Sequence, residues 1–186
     1  MLAVSKPRAQ LMISLAGAIL MAACSDEAPI EPESSYELPA QFATLPKERR
    51  EAIAILRRVT AAYQDIDAAI ADGFVLLHPC EDRPGEGPVG IVYVHMGRLL
   101  DGVIDLKSPD ALIYNPGTGA KPELFGVEFA ITYGMWTAPQ PPQFLGAQFQ
   151  REDEFGVWAM HAWVWRDNPE GLFAESHPRV TCSVEE

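Results

Sequence analysis

At Gly73 the apolar pattern of the chain changes period, and that change limits it to folds that lay a helix on a sheet. Before Gly73, Ala52, Leu56, Val59, Tyr63, Ile66 and Ile70 step by four, three, four, three and four, one continuous stripe at helical spacing. Lys47, Glu48, Arg49, Arg50, Glu51, Arg57 and Arg58 load the start and outer face of that segment. Thr44 reads as its N-cap with Pro46 in the first turn, and Gly73 as its stop. After Gly73 the period becomes two. Phe74–Leu77, Ile91–Met96, Ala111–Tyr114, Leu124–Thr132 and Val157–Trp165 read as strands, separated by turns rich in proline and glycine such as Asn115-Pro116-Gly117. One long amphipathic helix followed by strands without βα alternation predicts an α+β domain, the helix packed on an antiparallel β-sheet. A partly closed β-barrel is the alternative. The stripe covers only about three heptads, so packing on the domain's own sheet is favoured over a coiled coil with a partner.

The N-terminus has a different character. Lys6 and Arg8 precede an apolar run, Leu11–Leu20, and no acidic residue occurs before Asp26. A run of about ten residues is too short to span a hydrocarbon core of roughly 30 Å, so residues 1–23 read as a signal peptide. The run ends in Leu20-Met21-Ala22-Ala23-Cys24, which resembles the lipobox of bacterial lipoproteins, with Met21 where leucine is more usual. That resemblance implies a diacylglycerol on Cys24. Cleavage after Ala18, giving an unlipidated exported protein, is the alternative. Ser25 after the cysteine, by resemblance to enterobacterial sorting, points to the outer membrane, on its periplasmic face or at the cell surface. Residues 24–45, with Asp26, Glu27, Glu31, Glu33 and Glu37 among Pro29, Pro32 and Pro39, read as a disordered acidic tether. Residues 46–186 remain as one globular domain.

Charge and cysteine content narrow the function classes. The 186-residue chain carries a formal charge of −12, and removing Lys6 and Arg8 with the signal peptide takes it to −14. Such a surface argues against nucleic acid and against anionic lipid as charge-driven partners. The lipid on Cys24 is then the link to a membrane, and a small ligand or an envelope protein the remaining partner. Beyond Cys24 the only cysteines are Cys80 and Cys182. In an oxidising compartment they allow one disulfide, joining the start of the domain to its end. A catalytic or metal-binding thiol is disfavoured, because a reactive thiolate needs electropositive surroundings.

No motif fixes a reaction. Gly85-Glu86-Gly87-Pro88-Val89-Gly90 matches the dinucleotide glycine pattern in letters only. It follows a loop, contains a proline, carries an acid where a phosphate would sit and opens a strand instead of a helix. There is no phosphate loop, no nucleophile-elbow serine and no HExxH. The histidines are the remaining signal. His95 and His161 lie in expected strands, and Glu128 lies in a third, on a face with the small residues Gly126 and Ala130. Were the strands to pair suitably, two imidazoles and a carboxylate would converge on one sheet face. That donor set suits zinc, iron or another divalent metal and leaves coordination positions open. Equally, a strand glutamate can face solvent and a strand histidine can be a hydrogen-bonded core residue. His78 and His177 each precede a proline near a cysteine, as a second ligand pair or as loop residues. Trp136, Trp158, Trp163 and Trp165 suit an apolar pocket or the core, with Trp158 assigned to the core.

Several segments together resemble a group of exported bacterial proteins of unassigned activity. They are Ala71-Asp72-Gly73-Phe74 leading to Cys80, His95-Met96-Gly97, Leu124–Ala130, and His161-Ala162-Trp163-Val164-Trp165 running through Asn168-Pro169 and Gly171-Leu172-Phe173 to Cys182. The resemblance covers most of residues 60–182 and implies one self-contained exported domain, with no reaction attached. The expected function is therefore an exported, lipid-anchored domain that binds a divalent metal or small ligand on one sheet face through His95, His161 and Glu128. A metal-dependent envelope enzyme, whose metal activates water or dioxygen, and a structural or partner-binding envelope lipoprotein are the alternatives.

Overall fold

A computed structural model of the chain describes residues 38–182 apart from Glu81, Pro84, Glu86, Thr118 and Ala120. The expected signal peptide, Cys24 and most of the expected acidic tether lie outside the described residues. The domain is α+β, built on a six-stranded antiparallel sheet. Its strands are β1 (Val75–His78), β4 (Ile91–Val94), β5 (Ala111–Asn115), β6 (Glu123–Thr132), β10 (Val157–Ala162) and β9 (Gln150–Glu152), in that spatial order. Two short ribbons pair β2 (Asp82–Arg83) with β3 (Gly87–Pro88), and β7 (Gln143–Phe144) with β8 (Ala147–Gln148). The sheet is open, with β1 and β9 at its ends, so the barrel alternative does not hold.

The expected long helix is divided. Helix α1 (Lys47–Thr60) passes through a 3-10 turn, Ala61–Gln64, before α2 (Ile66–Ala71). Thr60 donates its hydroxyl to the Leu56 carbonyl at 2.7 Å and accepts from the Trp165 indole at 3.0 Å. A threonine that bonds its own preceding turn bends a helix, and here the indole holds it there. Asp65 then restarts the helix by accepting from the Asp67 amide. Pro46, not Thr44, stands at the N-cap of α1, with no side-chain cap. Of the stripe, Ala52 and Leu56 are buried, Val59, Tyr63 and Ile66 are partly buried and Ile70 is 50% exposed, while Ile53 and Ala69, off the stripe, join Leu56 in the core with Leu112, Tyr114, Val127, Phe129 and Met160 on one face of the sheet.

The opposite face carries a second core. Val92, Val94, Ala111, Ile113, Phe125 and Trp163 pack there with Val89 and Val180. These last two come from loops tied together by the Cys80–Cys182 disulfide, whose Cα atoms are 5.1 Å apart. The expected pairing of these cysteines is thus present, and it staples a cover over this face. Gly126, between Phe125 and Val127, has no room for a side chain. A Cβ there would stand 2.8 Å from the Ala162 carbonyl oxygen and 3.0 Å from the Trp163 ring. Among the described residues no helix is long and apolar enough to cross a membrane.

Candidate functional site

Strand register assembles a polar pair on the disulfide-covered face. His161 in β10 is directly opposite Glu128 in β6, and Glu128 is in turn opposite Ala111 in β5. Directly opposed residues point to the same side of a sheet, so the imidazole and the carboxylate meet. His161 Nε2 lies 3.3 Å from Glu128 Oε2, and both side chains are 11% exposed. The Nδ1 atom of His161 lies 2.6 Å from the Glu175 carbonyl oxygen. A carbonyl can only accept, so Nδ1 carries a proton and Nε2 is the atom turned toward the carboxylate. Burial alone would lower the basicity of this imidazole. The hydrogen bond and charge of Glu128, helped by the Glu175 carbonyl, outweigh that and hold its pKa above the ordinary histidine value.

The pair opens into an apolar pocket of about 190 Å³. Leu77, Val89, Val94, Leu99, Phe155 and Val157 supply much of its wall, and His78 and Glu152 also line it. Small residues make the space: Ala111 and Ala130 stand beside Glu128 where larger strand residues would fill the cavity. Leu77 and Met96, at the solvent side, are 37% and 44% exposed. His78 stacks on Phe155 with ring centroids 5.7 Å apart, and its Nδ1 lies 2.9 Å from the Pro79 carbonyl. Like His161, it therefore keeps Nε2 uncommitted to backbone. Behind the pocket, Asp110 is fully buried. Its Oδ2 accepts from the Ala130 amide at 2.9 Å, while Oδ1 has no partner. Burial, reinforced by the nearby Glu128 charge, pushes its pKa up to about 7.

His95 does not join this site. Strand β4 ends at Val94, and Val94 is the residue that faces the pocket. The next position points to the helical side. There His95 caps the short helix α3 (Met96–Leu99), its Nδ1 accepting from the Arg98 amide at 3.3 Å, and its ring meets Phe74 edge-on at 5.4 Å. The expected convergence of His95 with His161 and Glu128 is thus corrected by side-chain parity, and among the described residues no group of three or more His, Cys, Asp or Glu side chains is placed to hold a metal ion. His177 is also set apart. It is fully buried against Trp163 and Phe125, with Nδ1 accepting from the Arg179 amide at 3.1 Å. Burial and the Arg179 charge lower its pKa.

Trp163 orders this region. Its indole donates to the Ala174 carbonyl at 2.7 Å, and its ring meets His161 and His177 edge-on. Trp165 packs with the helical core, under the Arg57 guanidinium at 4.2 Å. Trp158 is only partly buried, at the margin of that same core. Sequence reading offered His78 as a ligand or a loop residue and missed Glu152 and Asp110 as neighbours of the pocket. Leu77 and His78 both line the pocket because the pairing of β1 with β4 shifts register between Leu76 and His78, an irregularity that alternation in the sequence does not show.

No protein-family model, curated protein or solved structure matches this chain.

Proposed function

We propose that this domain binds a small, largely apolar ligand in the pocket on the disulfide-covered face of its sheet, with His161 and Glu128 at the polar end. One observation carries the proposal: a nearly buried imidazole–carboxylate pair forms one wall of a largely apolar cavity. Purely structural ion pairs are commonly surrounded by further hydrogen-bonding groups, whereas binding sites combine apolar walls with a few convergent polar groups. An apolar cavity of about 150 Å³ accepts a benzene-sized molecule, so single-ring compounds are the first probes. Benzyl alcohol, titrated into the isotopically labelled domain, is expected to shift the NMR signals of Glu128, Ala130, Val157 and His161. The same shifts are expected to vanish in Ala130→Leu, which fills the pocket. No localised shift with benzyl alcohol or its charged analogues would overturn the reading.

The domain acts, in this proposal, as an exported protein anchored through lipid on Cys24. The Cys80–Cys182 disulfide is compatible with an oxidising compartment. Mass spectrometry of the mature protein tests the anchor: a diacylated N-terminal cysteine is expected, absent in Cys24→Ala.

A second reading is a divalent metal at the same pair, in a metal-dependent envelope enzyme. It is favoured by the 3.3 Å separation of Nε2 and Oε2, a span that two donors on one small cation at roughly 2.0–2.2 Å each also adopt. The Nδ1 atoms of His161 and His78 are both tied to backbone carbonyls, an arrangement that orients metal-binding imidazoles. In this version His161 and Glu128 hold the ion and His95 takes no part. Elemental analysis of the parent and His161→Ala decides it: near-stoichiometric metal lost in the variant supports the reading, and no metal in either sinks it.

A further inference from the structure

The sheet is open, yet its two ends meet over the pocket. Between β1 and β10 stand β4, β5 and β6, which makes four strand spacings, or about 19 Å along a flat sheet. The ring of His78, the last residue of β1, nevertheless lies 5.7 Å from the ring of Phe155, in the turn between β9 and β10, and the two planes are inclined by only 17°. The reach of two side chains covers part of that gap, and the curl of a twisted sheet covers the rest. Both rings line the cavity, and so do Val94, Ala111, Ala130 and Val157. These four come from β4, β5, β6 and β10 and form the floor. The stacked rings bridge above it.

The two halves of the bridge are held differently. His78 Nδ1 donates to the Pro79 carbonyl at 2.9 Å, and Cys80, two residues on, is bonded to Cys182. Phe155 is carried on a short turn, closed by its own amide donating to the Glu152 carbonyl at 3.2 Å and followed by Gly156 at φ 66°. Its ring is partly buried against Ala130, Val157 and Ala159. A phenyl ring has no polar atom to fix its orientation, and a side chain on a turn changes rotamer far faster than a paired strand moves. Stacking adds only a small increment to apolar contact, so the ring that moves is Phe155.

We propose that Phe155 is the gate of the ligand pocket: its ring, latched against His78, closes the roof over the floor strands and swings aside to admit and release ligand. The proposal rests on the ligand-binding reading above and adds the route in. His78 is the fixed post and Phe155 the moving leaf. A gate of this kind limits how fast a ligand enters, whereas a wall limits only how long it stays.

NMR line shapes and relaxation dispersion, recorded as benzyl alcohol is titrated into the disulfide-bonded protein, give the association and dissociation rate constants separately. Phe155→Ala is expected to raise the association rate constant about tenfold, because the ligand no longer waits for the ring to move. His78→Ala removes the post but leaves the leaf, and is expected to raise it by about threefold. His78→Phe keeps a ring to stack on and is expected to stay within about twofold of the parent. Phe155→Leu, which keeps an apolar wall and cannot stack, is expected to speed association as Phe155→Ala does, and it carries the test if the alanine variant folds poorly. Unchanged association with faster dissociation in both Phe155 variants would overturn the gate and leave the pocket standing, with the ring as wall alone. Association in His78→Phe as fast as in His78→Ala would also overturn it, because the stack would then not be the latch. Absence of benzyl alcohol binding to the parent would overturn the gate together with the ligand-binding reading.

Discussion

Removing the Cys80–Cys182 bridge separates the two halves of the pocket's cover, so its cost measures how the site is held. The bridge spans 102 positions. In the chain-entropy model, closing a loop of that length removes about 16 cal/mol/K from the unfolded ensemble, or about 4.7 kcal/mol at 25 °C. Cys80 and Cys182 both pack against the core that contains Val89 and Val180, so their replacement by alanine also loses some buried contact. Urea denaturation of the double variant Cys80→Ala, Cys182→Ala against the parent is expected to show a loss of about 4 to 5 kcal/mol. At roughly 3 °C per kcal/mol for a domain of this size, the melting temperature falls by about 15 °C. The helical face has its own core around Leu56 and Phe129, so the variant is expected to retain its far-ultraviolet dichroism while losing benzyl alcohol binding. A loss below about 1 kcal/mol would refute the entropic argument, because the unfolded chain would then gain little freedom from a 102-position loop. An unchanged ligand affinity would refute the assignment of the bridge to the pocket's cover.

Three further perturbations test the packing and charge of the same face. Gly126→Ala places a methyl group 2.8 Å from the Ala162 carbonyl oxygen and 3.0 Å from the Trp163 ring, and is expected to cost about 1–3 kcal/mol in urea denaturation; a neutral result would mean that β6 and β10 can separate freely. Asp110 has a folded pKa raised to about 7, so its unfolded form ionises first and stability falls as pH rises from about 4 to 7, by about 4 kcal/mol at most. Asp110→Asn is expected to remove that decline, visible as a gain over the parent at pH 8 and none at pH 4; parallel profiles would refute it. His161 has a raised folded pKa, so its contribution is present below the ordinary histidine pKa and lost as pH rises through the raised value. In Glu128→Gln the imidazole is expected to titrate at lower pH, read from its Cε1 proton signal, and an unshifted titration would mean that Glu128 is not its main partner.

The fold was legible where one physical rule dominates. The stripe from Ala52 to Ile66 found the helical layer, because an apolar face tends to be buried, while its last member, Ile70, is exposed. Cys80 and Cys182 could pair in one way, and they do. The division of α1 from α2 was hidden, because it depends on Trp165, more than 100 positions away, bonding the Thr60 hydroxyl. Local spacing carries no trace of such a partner. Helix α3 was hidden for the opposite reason: its four residues are too few to show a period.

The candidate site divides along the same line. His161 and Glu128 lie inside strands whose pairing from Ala162↔Val127 to Val157↔Thr132 is regular, and register brings them opposite each other. His95 lies one residue past the end of β4. Its alternation with Ile91 and Tyr93 was read correctly, since those residues pack with the helical core. The error lay in assuming that this face was the one shared with Glu128. Parity within a strand can be read from sequence, but parity between strands depends on register, which shifts by one residue wherever an irregularity intervenes. One such irregularity lies between Ile113 and Tyr114 in the pairing of β5 with β6. It lets Phe125 join Val92 and Trp163 on the pocket side, although alternation from Val127 assigned it to the helical face. The same register that excludes His95 admits Val94 and Ala111 as walls. A third imidazole at that point would complete a donor set for a metal; the apolar groups in its place favour a ligand with a hydrophobic body and one polar end.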